Sequence, residues 1–263
     1  MSLLTLTLLF HAAAVGGGLN SVAGGGSFIA FPALLFAGVA PVAANATNTV
    51  ALWPASLASA VAYRREVPGS RKVLVTLSIA SLIGGTAGAL LLLHTSESAF
   101  VQLIPWLLLV ATSLFTFGKR MTARFAGKSD DASPRALALV AVAQSVIALY
   151  GGYFGGGMGI LMLASLALIG MTDIHAMNAL KTILGALING AAVVLFVLAH
   201  AVEWRPGVVM VAGGILGGYA GASLARKVDP KKVRVFVIVV AWAMTVYFFA
   251  KTYSGILVSP ANP

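Results

Sequence analysis

Three stretches of this chain, Leu74–Leu93, Ala99–Gly118 and Gly207–Ala225, contain no charged residue. A helix rises about 1.5 Å per residue, so runs near 20 residues match the roughly 30 Å hydrocarbon core of a bilayer. Hydrocarbon offers peptide groups no hydrogen bonds, so such runs cross it as helices or as a closed barrel. The alternating strands of a membrane barrel are absent from the sequence. Composition agrees: 59% of the 263 residues are hydrophobic, 9% are charged, and the mean hydropathy is +0.97. A soluble domain carries about a quarter charged residues. The expectation is an all-α polytopic membrane protein.

The net charge is +10, from 17 Lys and Arg against 7 Asp and Glu. Fourteen of those 17 basic residues fall in three short segments. The first holds Arg64, Arg65, Arg71 and Lys72; the second Lys119, Arg120, Arg124, Lys128 and Arg135; the third Arg226, Lys227, Lys231, Lys232 and Arg234. Basic loops between apolar spans are the positive-inside signature, which assigns all three to the cytoplasm. Topology and lipid headgroups account for the charge, and no nucleic-acid partner is expected. Cysteine is absent, which excludes disulfides and thiolate metal sites. The opening "MSLLTLTLLFHAAAVGGG" lacks the basic n-region of a signal peptide and has an internal counterpart, so it is expected to be retained.

That counterpart belongs to a duplication. "GGTAGA" at Gly84–Ala89 recurs as "GGYAGA" at Gly217–Ala222, and "NATNT" at Asn45–Thr49 recurs as "NALKT" at Asn178–Thr182, both at an offset of 133. The runs Gly24–Gly26 and Gly155–Gly157 recur at an offset of 131, which places a two-residue indel between. The predicted organisation is a first repeat at 1–118, a basic linker at 119–133, a second repeat at 134–252 and a short tail at 253–263. Each repeat reads as five helical segments. They are about 3–17, 27–38, 42–64, 71–94 and 98–118, then 135–152, 157–170, 174–201, 205–226 and 231–252. The loop at 64–72 is basic where its counterpart at 200–206 is near neutral, and the loop at 94–98 is near neutral where 226–234 is basic. Equivalent loops therefore lie on opposite sides, which predicts an inverted repeat, a common transporter design.

The second segment of each repeat spans about 12 residues, roughly 18 Å of helix, too short to cross. Glycine also cuts the first segments short. The prediction is a pair of glycine-broken helices or re-entrant hairpins whose tips meet near the membrane centre. Gly24, Gly25 and Gly26 form one tip, and Gly155, Gly156 and Gly157 the other. Glycines let backbone N–H groups converge, and a helix N-terminus follows each run; both favour an anion. Gly84, Gly88, Gly217 and Gly221, four apart, read instead as sites of close helix crossing.

Lys181 is the one basic residue well inside an apolar span, "NALKTILGALINGAAVVLF". A charge there is costly and marks function by default, and no Asp or Glu inside a span is available to pair with it. Its expected partner is an anionic substrate, against the alternative that the ammonium snorkels to the headgroups. Asn45 and Asn48, with Asn178, supply amides that either hydrogen-bond an oxyanion or cross-link helices. Ser56 aligns with Asn189. Asp173 reads as a helix cap, and His11 and Gln144 as satisfied interior residues. No intramembrane carboxylate pair, Ser/His/Asp pattern or metal cluster supports an enzyme.

At these residues the chain resembles the sulfite exporter TauE/SafE family, also called the toluene sulfonate uptake permease family. The resemblance rests on "AGGGSFIAFPALLFAGVAPVAANATNTVAL" and "GGYFGGGMGILMLASLALIGMTDIHAMNALKTILGALIN", with the later "GGILGGYAGASLARKVDP", and covers nearly the whole chain. It implies a multi-pass protein of the bacterial inner membrane that transports small anions such as sulfite, sulfonates and related organic acids. It supplies no residue roles. Export of an anion from an inside-negative cell is favoured by about 2.3 kcal/mol per charge per 100 mV. Uptake would need a co-ion, and proton coupling usually uses an intramembrane carboxylate. The function expected is secondary transport of small anions by alternating access, in the export direction. An anion channel, a proton-coupled uptake permease and an intramembrane enzyme are the alternatives. No cofactor is expected. The partners are the anionic substrate and membrane lipids, with self-association into a homo-oligomer left open.

Overall fold

The computed structural model describes residues 1–22, 25–66, 70–125, 134–224 and 230–253. Among them lie ten α-helices and no strand: α1 Leu3–Val22, α2 Ser27–Phe36, α3 Pro41–Ala62, α4 Arg71–Leu93, α5 Glu97–Phe125, α6 Pro134–Tyr153, α7 Met158–Leu168, α8 Ile174–Leu198, α9 Trp204–Leu224 and α10 Pro230–Tyr253. A 3-10 turn, Tyr63–Glu66, ends α3. Five helices are long and apolar enough to cross a bilayer: α1, α4, α5, α8 and α10. Their outward faces are apolar, with Leu3, Ile83, Val239 and Val246 exposed.

Boundary signals agree with local chemistry. Ser70 caps α4 by accepting from Val73 N, Asp173 caps α8 by accepting from His175 N at 2.9 Å, and Pro41 opens α3 at a position where its missing N–H costs nothing. Two elements differ from the sequence-based reading. α5 continues past Gly118 to Phe125. α1 is not cut at its glycines but runs through Gly16–Gly18 to Val22. The reason is contact with α9. A methyl group on Gly17 would strike the Gly214 carbonyl, and one on Gly217 the Ala14 carbonyl. Backbones this close gain dispersion and Cα–H contacts along the whole seam, which offsets the roughly 1 kcal/mol that each helical glycine costs.

α4 and α6 form a second seam of the same kind. A methyl on Gly84 would strike the Ser145 carbonyl, one on Gly88 the Leu149 carbonyl, and one on Gly152 the Gly85 carbonyl. In both seams contact positions rise together along the two helices, so α1 runs parallel to α9, and α4 to α6. Gly84, Gly88 and Gly217 are thus packing glycines, and Gly221 faces Gly18 across the first seam.

Other contacts define two faces. Glu66 lies 3.9 Å from His175 Nδ1, so the end of α3 meets the start of α8 beside the basic start of α4 (Arg71, Lys72); this is the basic face. On the opposite face Glu97 Oε2 accepts from Val42 N at 3.1 Å and Thr47 Oγ1 accepts from Glu203 N at 3.0 Å, gathering the starts of α3, α5 and α9. α2 and α7 have 10 and 11 residues, about 15–17 Å of helix. Each is too short to cross a bilayer alone, and each packs back on the helix before it, α2 on α1 and α7 on α6, as a hairpin.

Gly88→Ala and Gly217→Ala drive a methyl into fixed backbone and are expected to lower stability by about 3 kcal/mol in equilibrium unfolding in mixed micelles. Gly185 has only the ends of Met158 and Met162 near it, at 3.7 and 3.9 Å. Gly185→Ala is expected to be neutral or stabilising by up to about 1 kcal/mol in the same assay.

Candidate functional site

A cavity of about 870 Å³ lies between the two halves of the chain. Its wall takes residues from both hairpins and from α3, α5, α8 and α10. It extends to Ser59 and Tyr63 at the end of α3, Thr172 before α8 and Arg234 at the start of α10. Those positions belong to the basic face, and Thr172 is exposed there. Phe154 lines it towards the opposite face. The Phe154 ring packs edge-on against Phe31 at 5.7 Å, and Tyr153 packs against Phe100 at 5.8 Å. All four are buried.

The hairpin tips turn by glycine geometry. Gly25, Gly155 and Gly157 adopt φ of 89°, 84° and 75°, a region side-chain-bearing residues rarely enter. Asn20 Oδ1 accepts from Gly26 N at 2.8 Å and ties the first tip back onto α1. Tyr150 donates its hydroxyl to the Gly156 carbonyl at 2.6 Å and ties the second tip back onto α6. Gly157 also caps α7 and abuts Ala111 of α5.

Lys181 lies on the wall, its Nζ donating to Asn178 Oδ1 one turn earlier on α8 at 2.9 Å. Gly159 of α7 leaves room for its stem, since a methyl there would come within 3.2 Å of Lys181 Cδ. Asn48 also reaches the wall, where its Nδ2 donates to Ser27 Oγ at 3.2 Å. Arg234 donates to the Phe115 carbonyl at 2.8 Å, with its guanidinium over the Phe115 ring at 6.0 Å. Among the described residues of the wall, Lys181 and Arg234 are the charged ones and none is a carboxylate.

Of the predicted site residues, the structure brings Gly25, Asn48, Gly155, Gly156, Gly157, Asn178 and Lys181 to one cavity. Gly26 is beside it, packed on the Gly16 carbonyl. Asn45 is off the wall and 1% exposed, donating Nδ2 to the Tyr153 carbonyl at 2.9 Å. Gly24 lies outside the described residues, as do Lys128, Arg226, Lys227 and the tail from 254. Ser56 and Asn189 are on the wall. Gln144 is buried and donates to Ser81 Oγ at 2.8 Å. His11 is not interior but exposed, bonded through Nδ1 to the Thr7 carbonyl at 2.7 Å.

Sequence reasoning missed Arg234 and Asn20. Arg234 is embedded in a basic loop cluster and nothing in its neighbours distinguishes it. Asn20 carried a signal, an amide in the last turn of an apolar helix just before a glycine run.

Comparison with known proteins gives a consistent result. Residues 9–248 match the family model described as sulfite exporter TauE/SafE. The chain is 28% identical to "Probable membrane transporter protein" of Haemophilus influenzae, over 91% of this chain and 92% of that one. It is 28% identical to "Probable membrane transporter protein YfcA" of Escherichia coli K12, over 93% and 90%. It is 29% identical to "Probable membrane transporter protein ORF9" of a Sinorhizobium species, over 93% and 92%. No solved structure matches the chain.

Because cysteine is absent, any introduced thiol is the sole one. Ser56→Cys on the cavity wall is expected to react with a water-soluble maleimide at least about tenfold faster than Ala51→Cys, since reaction needs access. Ala51 is fully buried on the same helix. Equal rates would mean that water does not fill the cavity.

Proposed function

The chain belongs to the sulfite exporter TauE/SafE family and is a multi-pass membrane transporter, and on that premise we propose that it carries small anions, sulfite, sulfonates or related organic acids, by alternating access. The observation that carries this reading is the polarity of the cavity wall. Two cations, Lys181 and Arg234, face a shared space without a carboxylate among its described residues. The Lys181 ammonium has one neutral side-chain acceptor, Asn178. A buried ammonium so lightly compensated favours an anion that replaces its lost water. The amides of Asn48 and Asn178, which lie on the same wall, add donors of the kind an oxyanion accepts.

The arrangement of the halves supports alternation. Thr112 and Thr245, 133 residues apart, share a hydrogen bond of 3.0 Å, and Trp53 donates to the Ala186 carbonyl, also 133 residues away, at 3.0 Å. That separation is the repeat offset. Equivalent residues touch one another only on the axis relating two repeats. α5 and α10 run antiparallel there, with Trp106 bonded to Tyr253 and Trp242 to Thr116. A two-fold axis that reverses helix direction lies in the membrane plane, the inverted-topology arrangement. The cavity reaches the basic face, and the buried Phe31–Phe154 and Phe100–Tyr153 ring pairs pack towards the other, which favours a carrier over a channel.

Basic loops mark the cytoplasmic side, so the cavity faces the cytoplasm, and loading there leads to export. The membrane potential favours that direction for an anion by about 2.3 kcal/mol per charge per 100 mV, so no coupling ion is needed. The test is labelled sulfite and sulfonate flux in proteoliposomes at clamped potential. Wild type is expected to show flux that rises with the potential driving anions outward. Lys181→Ala is expected to lose at least about tenfold of it, the scale of one charge-assisted hydrogen bond. Full flux in Lys181→Ala would remove Lys181 from the site. Flux no faster than protein-free liposomes across sulfite, sulfonates and carboxylates would remove the anion reading.

A further inference from the structure

Equivalent positions of the two repeats have opposite surroundings. Ser59 and Tyr63 of α3 line the cavity, whereas Ala192 and Phe196, each 133 residues later on α8, are 1% and 0% exposed. Asn45 is 1% exposed, and its equivalent Asn178 is half-buried on the cavity wall. One sequence pattern thus occupies two environments within one molecule. The closed side contains a bond whose counterpart on the open side is unmade.

That bond joins Asn45 Nδ2 to the Tyr153 carbonyl. Asn45 belongs to the first turns of α3, and Tyr153 ends α6 just before the glycine turn. The bond therefore pins the tip of the second half's hairpin onto a helix of the first half, with the Phe31–Phe154 and Phe100–Tyr153 ring pairs around it. Its counterpart follows from two offsets. Asn45 corresponds to Asn178 at 133, and Tyr153 corresponds to Val22 at 131, the offset of the glycine runs. The packing seams confirm both independently. Gly84 abuts the Ser145 carbonyl as Gly217 abuts the Ala14 carbonyl, which pairs positions 84 with 217 and 14 with 145. In the present state Asn178 Oδ1 is taken by Lys181, and the Asn178 amide nitrogen donates to no described residue.

We propose that Asn45 and Asn178 are gate latches used in alternation: Asn45 closes the face opposite the basic loops by holding the Tyr153 carbonyl, and Asn178 closes the basic face by holding the Val22 carbonyl when the first latch opens. The proposal rests on the alternating-access reading and adds the residues that set its two end states. It also separates Asn45 from the substrate ligands, consistent with its place off the cavity wall. Lys181 joins the latch to the cargo. An anion that takes over the Nζ protons releases Asn178 from Lys181 and frees its side chain to turn towards the hairpin tip.

The test uses the full chain with single reporter cysteines at equivalent positions, Ser59→Cys in the cavity and Ala192→Cys in the closed region. Each is labelled in membrane vesicles with a maleimide that does not cross the bilayer. Asn45→Ala is expected to speed Ala192→Cys labelling and slow Ser59→Cys labelling by about fivefold, the population shift that one neutral hydrogen bond supplies. Asn178→Ala is expected to do the reverse, slowing Ala192→Cys by a similar factor. Asn45 is buried, and its variant is first checked for monodisperse folding. Asn178 faces the cavity, so its variant decides the matter if Asn45→Ala does not fold. An unchanged or faster Ala192→Cys rate in Asn178→Ala overturns the latch. If Ala192→Cys labels from neither side in wild type and all variants while Ser59→Cys reacts, alternation itself is absent, and both readings fall.

Discussion

Everything in this molecule hangs on two seams where helix backbones touch. In lipid, apolar side chains gain little from leaving one hydrocarbon surface for another, so helices associate where small residues allow close approach. The α1–α9 and α4–α6 seams are such places. Each joins a helix of one half to a helix of the other, so neither half is a self-contained body. The glycines that weaken these helices as isolated segments are the ones that permit the contacts.

The seams fix the outer frame and leave the centre to polar chemistry. With α1 and α6 held at their glycines, the chain beyond each must double back through a short helix, and the doubled-back tips meet α3, α8 and α5. There the interior departs from hydrocarbon character. Asn20, Tyr150 and Asn45 each hold a piece of tip backbone by one hydrogen bond, because irregular peptide groups at this depth need protein partners. Bonds of this kind are few and can be exchanged. The thick seams carry rigidity, and on the proposed alternation the thin tip contacts are the ones that exchange.

Helix number, order and most ends, those of α1 and α5 excepted, were legible because apolar length, caps and prolines are local signals. The duplication was legible because three motifs survive in order. Lys181 stood out because a charge in an apolar run has few innocent explanations. Other features were not local. The continuation of α1 through three glycines depends on Gly214 and Gly217, nearly two hundred residues away. Arg234 reads as one more basic loop residue until α5 is placed beside it. Asn45 and Asn178 look alike in sequence, and only the difference between a closed and an open side gives them different partners. On the proposed alternation, sequence symmetry describes the average of two states and a structure holds one of them.

The seam between α1 and α9 bears on how the protein is made. α1 is synthesised first, yet its partner is separated from it by roughly two hundred residues of chain. At about 5–20 residues per second, the glycine face of α1 waits tens of seconds in the bilayer before α9 arrives. During that interval it is a weakly helical segment whose backbone lies open to lipid and to any other small-residue face. Biogenesis is therefore ordered from the middle outward: the α4–α6 seam closes first, and α1 is enclosed only after α9 has been made.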